Sequence, residues 1–280
     1  MKNKIKALIK RDLIFGFTNN KLQFIFIFLV FMLVTWLYSL NIKTSIIGLG
    51  LSPKDVNFID IFYTVFKGID YQMPPNLPVF WILINIYITY LIGSYCYDDL
   101  SEDSSHIVVR MKSRKYIWIS KVIWMITTVI AFYLIILLIL AFFSIIMFNI
   151  SFEWSEYSKT YMMHKVQNNY SGIQFISFTI FIYILTSITM SIIQMLISFM
   201  IKPMYIYITN ISIIAIGIYS KEFIIPIQGS LILRQNIFDT SYPINPLNST
   251  VYNLVVFVLI FIIGFKYIKK FDMLVSQKTD

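Results

Sequence analysis

Six long stretches of the chain contain no Asp, Glu, Lys, Arg or His: Leu22–Ile42, Met73–Tyr97, Val122–Ser151, Tyr170–Ile201, Pro203–Ser220 and Thr240–Phe265. A hydrocarbon core of about 30 Å takes about 20 apolar helical residues to cross, because every backbone polar group must be satisfied within the segment. Trimmed to that demand, the pattern predicts six transmembrane helices near 22–42, 77–97, 122–149, 172–201, 203–220 and 249–265. Pro243 and Pro246 set the start of the last one near Ser249. Only Lys202-Pro203 separates the fourth run from the fifth. That junction reads as a tight turn between two spans, or as one kinked, partly re-entrant hairpin. Leu22–Ile42 follows a basic leader, but it is too long for a signal-peptide core and no small-x-small site follows Ser39, so it reads as an uncleaved first span.

The segments between the runs carry weaker patterns. In residues 1–21, Ile5, Leu8, Ile9, Leu13 and Phe15 share one helical arc, which Asp12 interrupts, with Lys6 and Lys10 opposite. This is the pattern of a helix lying on the membrane with snorkelling lysines, or simply of a basic leader. Residues 98–121 place Asp98, Asp99, Glu102 and Asp103 ahead of Arg110, Lys112, Arg114 and Lys115. Ser104 or Ser105 would cap a short helix there, with Ile107, Val108 and Met111 as an apolar knob. Such a segment is either a solvated connector or a transverse helix that docks on a soluble partner. Residues 221–238 form an apolar stretch too short to span, broken by Pro226 and Gly229 and closed by Arg234. It reads as a re-entrant or surface element, or as a loop packed on the bundle. Within the fourth run, Ser187, Ser191, Gln194 and Ser198 recur on one helical face, as either close helix packing or the lining of a transport path.

Composition agrees with a membrane solvent: 58% of the 280 residues are hydrophobic and 13% charged. Soluble proteins hold nearer 45–50% and about 25%. The net charge of +9 is one-sided. Residues 1–21, 98–121, Lys202 and 266–280 together hold 16 basic and 7 acidic residues, whereas 43–72, 152–169 and 221–239 hold seven of each. The basic side is therefore expected to be cytoplasmic, with both termini there, and the basic charge to meet membrane lipid rather than nucleic acid. No linker or repeat divides the chain, so residues 1–280 read as a single transmembrane domain.

Chemistry is sparse. The single Cys96 excludes an intramolecular disulfide framework and leaves too few thiols for a zinc ribbon or an iron–sulfur site. The apolar runs hold no acid, base or histidine, which disfavours an ion-coupled carrier or an intramembrane protease. His106 and His164 fall in segments on opposite sides, so no shared metal site is expected. No phosphate-cradling glycine loop is present. The chain is expected not to be an enzyme and to bind no cofactor, and any energy for work would come from a partner.

These features together resemble an ATP-binding-cassette transporter permease of the type-two exporter superfamily, similar to the permeases of Gram-positive peptide and bacteriocin exporters. The likeness rests on the N-terminal helix, six spans, the stretch from Tyr97 to Lys121 with Arg110, Ser113-Arg114-Lys115 and Ser120-Lys121, and the outer element with Pro226, Gly229 and Arg234. Where the family commonly has a glutamate-glycine pair, Ser101-Glu102-Asp103 stands instead. The resemblance implies a bacterial plasma-membrane protein that pairs with a second copy or a paralogous permease. It implies a cytoplasmic ATPase, holding ATP and magnesium, docked through Asp98, Asp99, Glu102, Asp103, Ile107, Arg110 and Met111. The substrate would be an amphipathic peptide or a lipid-like molecule. A non-transporting membrane immunity or assembly protein, acting by binding, is the alternative.

Overall fold

A computed structural model describes residues 2–70, 77–102, 115–159, 170–201, 203–220, 222, 224–238 and 242–270. Among these the chain is all-helical, with only isolated bridges between Asn57 and Asn149 and between Gln235 and Ile244. The helices are α1 (Lys2–Asn19), α2 (Lys21–Gly48), α3 (Phe58–Phe66), α4 (Val79–Glu102), α5 (Lys115–Met147), α6 (Gly172–Ser198), α7 (Pro203–Tyr219) and α8 (Pro246–Lys270). Four of them, α2, α5, α6 and α8, are long and apolar enough to cross a membrane, and α4 and α7 contain shorter apolar helices. The chain is thus an α-helical protein with the marks of a membrane protein.

Several boundaries differ from the sequence reading. The first apolar helix continues past Ile42 to Gly48, because Lys43 sits on an exposed face and costs the helix nothing. The third begins at Lys115, since Lys115 and Lys121 are accommodated within the helix rather than ending it. The last begins at Pro246 rather than near Ser249, with Pro246 in the first turn, where its missing N–H is not needed. Residues 43–72, expected to be a plain loop, contain α3, a nine-residue helix in which all but Thr64 is buried.

Two helices organise the rest. In α6, 67% of the apolar window is buried, against 44% in α5, 28% in α2 and 17% in α8, so α6 is central and α2 and α8 are peripheral. α6 packs against α4, α5, α7 and α8, while α5 receives α1, α2 and α3 on its other sides. Where α2, α3 and α5 meet, the core is aromatic: Phe31 meets Phe132 edge-on at 5.6 Å, and Phe66 meets Tyr183 of α6 edge-on at 4.8 Å. Such pairs add about 0.5–1.5 kcal/mol beyond the area they bury.

α3 is held in this core by a reciprocal cap. Asn57 Oδ1 accepts from Ile59 N at 3.0 Å, and Asp60 Oδ2 accepts from Asn57 N at 2.8 Å. Asp60 Oδ1 in turn accepts from the hydroxyls of Ser155 and Ser158. Burial pushes the Asp60 carboxyl above the usual carboxylate range, against the opposing pull of the hydrogen bonds from Ser158, Asn57 and Ser155. After α3, Gly68 turns the chain at φ 71°, and a Cβ there would lie 2.9 Å from Leu231 Cδ2, so both conformation and space demand glycine.

α5 docks its neighbours through indoles lodged against glycines. Trp124 fills the notch at Gly16 of α1, and Trp118 fills that at Gly264 of α8, where any Cβ would collide with the ring. Overpacking such contacts costs typically about 1–3 kcal/mol. Gly16→Leu and Gly264→Leu are therefore expected to lower the melting temperature in detergent markedly. Gly48→Leu, where a Cβ meets nothing within 4 Å, should leave it nearly unchanged.

Candidate functional site

The residues marked by the sequence fall at three places. At the first, α4 carries Asp98, Asp99 and Glu102 in its final turns, and α5 begins at Lys115. Asp103, Ile107, Arg110 and Met111 lie outside the described residues. What the sequence reading missed is the joint behind this segment. Asp12 and Lys121 are each only 1% exposed, with Lys121 Nζ 3.7 Å from Asp12 Oδ1. Ser120 Oγ donates to Asp12 Oδ2 at 2.6 Å, Arg11 lies 3.3 Å from the Oδ1 atom, and Lys121 Nζ sits 4.1 Å from the centre of the Tyr95 ring. Asp12, which breaks the apolar arc of α1 on paper, is thus the polar centre of its docked face. A buried carboxylate requires such a set of donors, since desolvating a charge costs several kcal/mol.

At the second place, the face of α6 bearing Ser187, Ser191, Gln194 and Ser198 points inward, and all four are buried. The Ser187 and Tyr133 hydroxyls meet at 2.7 Å, tying α6 to α5. Gln194 Nε2 donates to Thr89 O of α4 at 2.6 Å, and a Cβ on Gly93 would sit 2.5 Å from that nitrogen. Ser198 Oγ donates back to Met195 O within its own helix. Ser191 Oγ and Asn210 Oδ1 have no hydrogen-bond partner among the described residues, and both line a cavity of about 10 Å³ between α4, α6 and α7. That is room for about one water molecule and no larger solute.

At the third place, the segment after α7 folds into two 3-10 turns, Pro226–Ser230 and Ile232–Arg234, buried against α6, α7 and α8. Pro226 opens the first turn, and Gly229 lets it approach α8, where a Cβ would meet Asn253 Nδ2 at 3.2 Å and Ser249 Cβ at 3.3 Å. Arg234, 3% exposed, reaches back across the end of α7. Its Nη1 donates to Gly217 O and Ser220 O, both at 2.9 Å, and to Gln228 Oε1 at 2.8 Å, while Nη2 donates to Ile218 O. Gln228 Nε2 adds bonds to Gly217 O and Ser220 O. The terminal carbonyls of a helix lack intrahelical partners and carry its negative dipole end, so a planar cation with several donors is matched to them.

Among the described residues, no group of three or more His, Cys, Asp or Glu is placed to hold a metal ion. No family model, curated protein or solved structure matches the chain.

Two predictions follow from the buried charges. Breaking a buried pair by removing one partner costs about 3–5 kcal/mol, while replacing both together costs far less. Lys121→Met should therefore destabilise the folded protein in detergent more than the double variant Asp12→Asn/Lys121→Met, as measured by thermal unfolding. At the end of α7, Arg234→Met strands the carbonyl of Ile218, and an orphaned buried acceptor costs about 1–3 kcal/mol. Arg234→Lys keeps the charge but not the fork, and its melting temperature should fall between those of the wild type and Arg234→Met.

Proposed function

We propose that the chain is the membrane-embedded permease subunit of an ATP-driven exporter, moving amphipathic peptides or lipid-like molecules out of a bacterial cell with energy from a separate ATPase. In this reading α2, α4, α5, α6, α7 and α8 are the six spans, α1 lies at the cytoplasmic surface, and both termini are cytoplasmic. A second copy or a paralogous permease completes the transporter.

The observation that carries the reading is the Asp12–Ser120–Lys121 joint. α5 starts at Lys115, directly after the segment proposed to dock the ATPase, and α1 is fastened to the first turns of α5 by buried charge. A displacement imposed on residues 98–115 would then move α1 and α5 as one body, and α5 contacts α2, α3, α6 and α8. Basic charge concentrated on the segments of that side supports its placement in the cytoplasm.

One observation favours the second reading, a non-transporting immunity or assembly protein. The cavity beside the polar face of α6 holds no more than a water. Copurification separates the two. The double variant Ile107→Ala/Met111→Ala should express and insert normally yet lose an associated ATPase that the wild type retains in mild detergent, because a buried apolar anchor commonly costs at least about 2 kcal/mol when removed. A wild type that binds no ATPase, or a double variant that keeps one and still exports, would sink the exporter reading in favour of the binding protein. Orientation is tested in intact cells on a Cys96→Ser background. A thiol at exposed Lys54 should react with an impermeant reagent and one at exposed Lys6 should not.

A further inference from the structure

On the side of the bundle away from α1, a cavity of about 240 Å³ opens where α2, the end of α3 and the start of α4 meet. Its walls are Tyr38 of α2, Tyr63 of α3, and Phe80 and Trp81 of α4, with Lys67 and Asp70 from the turn that follows α3. Lys67 is half-buried, and its ammonium makes no hydrogen bond or ion pair among the described residues. The centre of the Tyr63 ring lies 5.9 Å from it. Burial lowers its pKa below the usual lysine range, the mark of a cation whose charge the protein leaves uncompensated. Asp70 is engaged differently, accepting from Tyr242 OH at 2.5 Å.

The rim of this cavity is apolar and faces outward. Leu77 and Val79 at the start of α4 are 57% and 45% exposed, and Trp36 and Leu37, next to Tyr38 on α2, are also exposed. α2 is mostly unburied along its apolar window, so this face is the one that membrane chains cover. Trp36, exposed, and Tyr38, half-buried, fall in the last two turns of the Leu22–Ile42 run, where aromatic side chains mark the headgroup level of a bilayer. A cavity that holds a half-buried cation and opens beside an exposed apolar face fits one kind of occupant.

We propose that this cavity seats the headgroup of a phospholipid from the leaflet on that side, with the phosphodiester on Lys67 and the acyl chains along α2 and α4. The Asp70 carboxylate in the same wall suits the ammonium of phosphatidylethanolamine, which the neutral glycerol head of phosphatidylglycerol lacks, so phosphatidylethanolamine is preferred. The cavity is smaller than the usual 300–1,000 Å³ of a small-molecule pocket, which suits a headgroup whose chains remain outside. The inference needs only the membrane placement of the chain and stands whether or not the protein transports.

The test is a titration of the delipidated full chain in detergent micelles, read by native mass spectrometry. The wild type should bind one phosphatidylethanolamine. Hydrogen bonds to a charged group are strong enough that Lys67→Met should weaken this binding by about tenfold or more. Lys67→Arg should restore it, and Lys54→Met, at an exposed position, should leave it unchanged. A diacylglycerol with the same chains should bind the wild type as weakly as phosphatidylethanolamine binds Lys67→Met, an arm that needs no variant to fold. Soluble phosphoethanolamine should displace the lipid only at far higher concentration. Equal binding of phosphatidylethanolamine and diacylglycerol, or no loss in a folded Lys67→Met protein, would overturn the assignment. Displacement by phosphoethanolamine at matching concentration would show a site for a free phosphate ester instead of a lipid.

Discussion

A buried backbone carbonyl without a donor costs about 1–3 kcal/mol, and the end of α7 meets that constraint at its sharpest. At 17 residues it rises about 26 Å, and the carbonyls of its last turn have no partners within the helix. Its last carbonyls therefore need partners from elsewhere in the chain. Arg234 and Gln228 supply them, and the sequence after α7 is shaped accordingly. The chain must double back through Pro226–Ser230, Gly229 must let the turn close on α8, and Trp81 of α4 steadies it by donating to Ser230 Oγ at 2.8 Å. The turn also reaches α3, where Leu233 N donates to Lys67 O at 3.1 Å. One short helix thus binds the far ends of α3, α4, α6 and α8 together.

At the other end of the bundle the fastening is electrostatic. Asp12, Ser120 and Lys121 join α1 to α5 across a gap of over a hundred residues in sequence, and Trp124 and Gly16 bring the two helices into contact about one turn away. The middle is apolar and aromatic, with the Ser187–Tyr133 and Gln194–Thr89 bonds as cross-links between α5, α6 and α4. Polar contacts fasten the ends, and close packing fills the space between.

The long apolar runs made α2, α5, α6 and α8 legible, because a stretch of that length admits only a helix in lipid. The inward face of α6 was legible too, since Ser187, Ser191, Gln194 and Ser198 are spaced by the helical repeat. α3 was not, because Phe58–Phe66 is too short to span and carries an acid at Asp60. Its signal was nonetheless present in the Asn57-x-x-Asp60 spacing, a reciprocal cap ahead of a Phe-rich run. The Asp12–Lys121 pair had no signal of that sort. Each residue looks like an ordinary flank of its apolar run, and the pairing comes only from the way α1 lies on α5. Arg234 was marked as the close of a broken segment, but its task depends on where α7 ends, which hydropathy alone does not reveal.

The placement of the tryptophans has an optical consequence. Trp118 and Trp124 are buried on α5, one against α8 and one against α1, while Trp81 is buried on α4 and Trp36 faces outward from α2. Trp124 also lies 4.1 Å from the Tyr95 ring, tilted by 39°, beside the Lys121 ammonium. The protein therefore carries a native fluorophore at the contacts of α5 with α1 and with α8. Separation of α1 from α5 would change the surroundings of one indole and separation of α8 those of another, so the intrinsic emission of the unlabelled protein reports on both contacts.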